Sequence, residues 1–222
     1  RMIAGEYTAK QAYRAFNAQL LAEEEPAADE TVLTSGKRYS NVFHANGGNA
    51  AFSVMANTLR GVYGTDVLLA TANSFTGSVL KADYTPKMAD SMIMPNGLMS
   101  RQRTMTGAEL KETVRAYVEG CEGGFVPFNR GSLPIVSGIA VEVKENNSSY
   151  TLTSITRNGQ PLRDDDTITV TCLATSKQME ALLASKSGTS EDGDAWVKNT
   201  WRDHVSGGGA ALAEPENYMT LR

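Results

Sequence analysis

The chain has 222 residues, with 41% apolar residues, 20 glycines and 21 basic against 25 acidic side chains, a formal charge of −4. That size and apolar content allow one large domain with a real core, and the mild acidity argues against a surface for duplex nucleic acid. No run reaches the ~18 apolar residues that span a bilayer, and no signal peptide is visible.

Arg1 stands where a start methionine would, so a longer chain is expected. "TAKQAYRAFNAQLLAEEE" reads as an amphipathic helix capped by Thr8, with Ala12, Tyr13, Phe16, Leu20 and Leu21 on one stripe. The acidic run 23–30, containing Pro26, ends it as a solvated linker. Residues 1–30 are therefore expected to be the tail of a preceding domain, and residues 31–222 a domain of their own. The helix spacing also resembles the closing helix of bacterial solute-binding proteins.

Next, "GGNAAFSVMANTLRGVYG" is a Gly-rich entry into an amphipathic helix ending at Gly61 or Gly64. "DVLLATA" reads as a buried strand. Residues 73–85 are loop-like, and Pro86 opens a helical turn or a strand. "LMSRQRTM" alternates as a strand that puts Arg101 and Arg103 on one face. Thr106-Gly107 breaks the chain before a helix with Leu110, Val114, Tyr117 and Val118 on one side. Three alternating runs follow between Pro134 and Ala174, divided by the turn signals at residues 146–149 and Asn158-Gly159. A short helix at 177–186, a polar loop, a helix around Trp201 and a glycine-linked last strand complete the chain. Helices first and a meander afterwards, without a βαβ repeat, predict an α+β fold.

Cys121 and Cys172 are too few for a disulfide framework, and two separate buried thiols are favoured over one bridge. Two cysteines and the distant His44 and His204 make no zinc motif. Neither histidine lies in an Asp-x-His or Gly-Asn-His string, and Ser137 and Ser206 lack a nucleophile elbow. No catalytic residue, metal or cofactor is therefore assigned to this chain.

Several pieces recur in a telling order: Asn73 with Gly77, Asp83-Tyr84-Thr85, Pro95, Thr106-Gly107-Ala108-Glu109-Leu110, Val136-Ser137-Gly138 and Asn158-Gly159-Gln160-Pro161-Leu162. Over roughly residues 41–222 this series resembles the C-terminal, substrate-recognition domain of the 5'-nucleotidase family. The resemblance implies a layered α/β/β/α domain that holds a nucleoside or nucleotide. Cleavage would belong to a separate metallophosphoesterase domain, which alone would carry divalent metals. It also implies a bacterial protein of the periplasm, cell surface or medium.

In the family two aromatic rings sandwich the base and an arginine holds the phosphate. Here the ring expected after Pro95 is Asn96, and the asparagine two residues later is Leu98. The second ring position offers Ala174 and Thr175, and Lys81 is the cation nearest the missing arginine. The "G-G-D-G" string is absent; Asp192-Gly193-Asp194, with Trp196 behind it, stands nearest. The candidate ligand-binding residues are accordingly Asn73, Phe75, Gly77, Asn96, Arg101, Arg103 and Trp196. Phe75 or Trp196 could be a relocated stacking ring or a core plug. Arg101 and Arg103 could hold an anion or decorate an outer sheet face. Gly47-Gly48-Asn49 could bind an anion at a helix start or simply enter the helix. The alternative to a nucleotidase recognition domain is an extracellular binding or structural module, attached to a solute-binding protein through the first helix.

Overall fold

The structure is a computed structural model that describes residues 31–43, 48–71, 74–94, 98–119, 133–146, 149–174, 195–207 and 210–222. The expected N-terminal helix, the acidic linker, the 177–186 helix and Cys121 lie outside these residues.

The described chain begins with β1 (Leu33–Ser35), α1 (Ala50–Tyr63), β2 (Val67–Ala70) and β3 (Ala82–Tyr84). Next come α2 (Pro86–Asp90), β4 (Met99–Thr106) and α3 (Gly107–Glu119). The strand-rich half holds β5 (Ile135–Ser137), β6 (Ala140–Asn146), β7 (Ser149–Arg157), β8 (Gln160–Pro161) and β9 (Thr167–Ala174). The chain closes with β10 (Ala195–Trp196), α4 (Val197–Ser206), β11 (Ala210–Ala211) and β12 (Met219–Leu221). Pro86 thus opens a helix, with Thr85 as its cap.

Among the described residues three sheets form, ordered β11-β1-β3, β10-β4-β9-β2-β5 and β12-β6-β7-β8. Helix α1 packs on β2 and β5 of the five-stranded sheet, and α3 on β7 of the four-stranded sheet. Each of the two larger sheets therefore carries its own helix, and the α+β, layered α/β/β/α architecture is the one observed.

Local chemistry explains the elements. The Asn49 side chain accepts the Phe52 N–H at 3.0 Å to start α1, and Gly64 ends it at φ +65°, a left-handed cap that glycine takes without strain. Helix α3 opens with a reciprocal capping box: Thr106 Oγ1 accepts the Glu109 N–H at 3.2 Å, and Glu109 Oε2 accepts the Thr106 N–H at 2.8 Å. The helix start is also tied to the segment after β8. Gly107 N–H donates to Asp166 O and Ala108 N–H to Asp164 O, at 2.8 and 3.1 Å. A Cβ at Gly107 would lie 1.8 Å from Arg163 O, so only glycine permits this approach.

The meander reading needs one correction. Strands β6, β7 and β8 are consecutive antiparallel neighbours, but β9 leaves them and inserts between β4 and β2 of the other sheet. It is buried along most of its length, and a strand that apolar is more stable in the centre of a sheet than at its edge. Strand β12 returns beside β6 in parallel, closing the four-stranded sheet.

Candidate functional site

In the five-stranded sheet β2 and β9 run parallel and β4 antiparallel to both. The end of β2, the end of β9, the start of β4 and the β10 bridge are therefore neighbours at one pole of the sheet. Asn73 and Asn96 lie outside the described residues. Their expected roles stay as sequence expectations.

The described part of the loop after β2 is well anchored. Thr76 N–H donates to Met92 O at 3.2 Å and Met94 N–H to Ser74 O at 3.0 Å, while Thr76 Oγ1 donates to Ser91 O. Gly77 sits at φ +61° with open space where a Cβ would stand, so its requirement is conformational rather than steric. Phe75 is 4% exposed. Its ring centroid lies 5.9 Å from that of Phe52, which in turn meets Phe43 edge-on at 5.9 Å. This placement makes Phe75 part of the core that holds the loop onto α1.

Arg101 and Arg103 lie opposite Cys172 and Val170 in the β4–β9 ladder. Both are partly buried, which differs from the exposed outer face considered for them. They point away from α1, since the alternate residue Gln102 donates from Nε2 to Tyr63 O at the end of that helix, 3.4 Å away. Burial pushes the Cys172 thiol up to about 12 against the opposing pull of the two arginines, which makes it a packing residue rather than a nucleophile.

Trp196 is where sequence and structure part most. Packing in a helix beside Trp201 is one reading of its spacing, but Trp196 precedes α4 and forms the β10 bridge opposite Met99. It is 50% exposed, whereas Trp201 is fully buried and donates from Nε1 to Ala89 O at 2.8 Å. Directly opposed residues share a sheet face, so Trp196, Met99, Arg101 and Arg103 lie on one face. Trp196 and Arg101 are diagonal neighbours there, about 7 Å apart by ordinary sheet geometry. The structure thus brings together three of the candidates, and the outward alternation of "LMSRQRTM" was the signal for two of them. Leu98, where the resemblance leads one to expect an asparagine, is 2% exposed and packs in the core.

Helix α4, which follows Trp196, is held in place by charge. Asp90 on α2 accepts Arg202 Nε at 2.7 Å and Lys198 Nζ at 3.3 Å. Burial works against ionisation of Asp90, but those hydrogen bonds outweigh it and hold the carboxyl below its usual range. Among the described residues no group of three His, Cys, Asp or Glu side chains could hold a metal ion. Among them also, no helix is long and apolar enough to cross a membrane.

The architecture is shared with solved structures. A 5'-nucleotidase precursor from Thermus thermophilus superposes with TM-score 0.67 at 13% identity, over 97% of this chain and 43% of its own. The fold is of the 5'-nucleotidase C-terminal type. An NAD nucleotidase from Haemophilus influenzae matches with TM-score 0.65 at 17% identity, over 94% of this chain and 41% of its own. A sulfate thiohydrolase, also from Thermus thermophilus, matches with TM-score 0.61 at 11% identity, over 95% of this chain and 38% of its own. The chain therefore spans about two fifths of the length of each of these proteins. No protein-family model and no curated protein matches it.

Proposed function

We propose that this chain is the substrate-recognition domain of a 5'-nucleotidase-like hydrolase, with metal-dependent cleavage carried out by a domain outside these residues. What carries the proposal is the near-complete overlap of the chain with only part of nucleotidase structures. Added to it is the half-exposed Trp196 on the same face as Arg101 and Arg103, at the pole where β2 and β9 end and β4 begins. A flat ring next to guanidinium groups is the chemistry that holds a base and an anionic group together. In this proposal Trp196 is the stacking ring, and Arg101 and Arg103 supply the positive field. Phe75 supports the loop from beneath. The protein so described is exported, to the periplasm, cell surface or medium.

Calorimetric titration of the chain with adenosine and AMP tests this. Binding is expected, weakened about tenfold or more by Trp196→Ala, because one base–ring stack contributes about 1–3 kcal/mol. Thermal denaturation should confirm that the variant is folded. No heat with either ligand from folded protein would overturn the proposal.

The second reading, an extracellular binding or structural module on the same scaffold, is favoured by Leu98, whose position has been given over to packing. The fold also serves a protein named for sulfate thiohydrolysis, so the scaffold alone does not fix the ligand.

A further inference from the structure

A cleft of about 380 Å³ opens at the other pole of the molecule. Its walls come from the end of α1, the loop before β2, the β5–β6 turn, the β7–β8 turn and the segment before β12. Asp66, in its wall, binds Thr169, which is five residues along β9 from Ala174, about 17 Å at the rise of a strand. The cleft is therefore separate from the Trp196 face.

Two arginines and two carboxylates line it, and the carboxylates are already engaged. Asp66 Oδ2 accepts both the N–H and the Oγ1 hydroxyl of Thr169 at 2.9 Å, and Oδ1 accepts Arg157 Nη2. Glu216 Oε1 accepts Arg60 Nη2 and its Oε2 accepts the Gly138 N–H, both at 3.3 Å. The guanidiniums are not used up in the same way. Arg157 bonds through Nη2 and Arg60 through Nε, to Ser137, and Nη2. A guanidinium carries five N–H donors in a planar fork, so each arginine keeps donors for a ligand. Both side chains are partly open to solvent, at 29% and 30% exposure.

The walls are preformed. Gly138 holds φ +84°, and a Cβ there would stand 2.1 Å from Asp66 O. Asn158 and Gly159, at φ 52° and 75°, form the tight hairpin turn that places Arg157 at the rim. Volume, rigidity and convergent donors are what a small-ligand site requires.

We propose that the cleft between Arg60 and Arg157 is a binding site for a small molecule carrying a carboxylate or phosphate oxyanion. The two guanidiniums bind the oxyanion, and the glycine-rich turns let it come close to backbone.

The test follows backbone amide shifts by NMR in the whole chain, titrated separately with inorganic phosphate and with succinate against chloride at matched ionic strength. Saturating shifts confined to Gly138, Ala140 and Gly159 are expected with at least one of them, at a Kd in the range of about 1 mM. Whichever anion saturates names the source, phosphate or carboxylate. Arg157→Gln should weaken that binding by about tenfold or more, and Arg60→Gln serves as the second variant if the first unfolds. The proposal is overturned if neither anion saturates these amides, if the folded variants bind as well as the original, or if the shifts fall at Trp196 instead. That last result would leave the nucleotide proposal standing.

Discussion

The same substitution at two glycines should have opposite signs. Gly107 lies so close to Arg163 O that an added methyl must push the backbone apart. Gly107→Ala is expected to cost about 2–3 kcal/mol, the scale of an overpacked core site. Gly61 lies inside α1, exposed and with nothing within 4 Å of its Cβ direction. Gly61→Ala should stabilise by about 0.5–1 kcal/mol, since it removes only the freedom of the unfolded chain. Urea titration of the two variants reads both effects, and equal shifts would contradict this account. The same residue-by-residue view explains what the sequence could not show. Nothing in the string "TGAEL" reveals that Arg163 O will lie against Gly107, because that contact spans the chain from α3 to the far side of β8.

Among the elements, α3 was the most legible: the break at Thr106-Gly107 gave its beginning and the apolar stripe its buried face, while the reciprocal Thr106–Glu109 cap became visible only in the structure. Thr106→Ala should cost about 1 kcal/mol, and in the Thr106→Ala, Glu109→Ala double variant the losses should fall short of their sum, because the two side chains cap reciprocally. Strict additivity in chemical denaturation would count against a shared capping box. Strand β9 was legible as a strand but not in its location. Alternation and turn residues report where a strand begins and which face is apolar, and they are silent on which sheet receives it. The setting of Trp196 was not legible for a related reason. Trp196 fits a helical spacing to Trp201, yet the pairing with Met99 competes for its backbone and wins.

At the scale of the molecule, an ion pair joins the two larger sheets. Asp66, at the foot of β2, holds Thr169 in the five-stranded sheet and Arg157 in the four-stranded one. Partial burial works against its charge, but the Thr169 hydrogen bonds and Arg157 outweigh that and keep its carboxyl below the usual range. A folded-state pKa below the unfolded value, near 3.9, gives stability that is present above that pH and lost as pH falls through the folded value. Stability curves of the original and Asp66→Asn should therefore differ most near neutrality and converge as the pH falls through the folded value. A gap that stayed constant across that window would remove Asp66 from the acid response. The layered order of the sheets was legible through the ordered motif series. The candidate ligand pole was less so, because the motif positions by which the resemblance would mark it carry Asn96 and Leu98 here.

The two tryptophans of the chain occupy opposite environments: Trp201 is sealed, with its indole N–H bonded to a carbonyl, while Trp196 is half in water. Their emission will accordingly separate into a blue component shielded from quenchers and a redder one open to them. The chain thus carries an intrinsic optical reporter at its candidate ligand face, with an internal reference a few residues away, and occupancy of that face can be followed without any label.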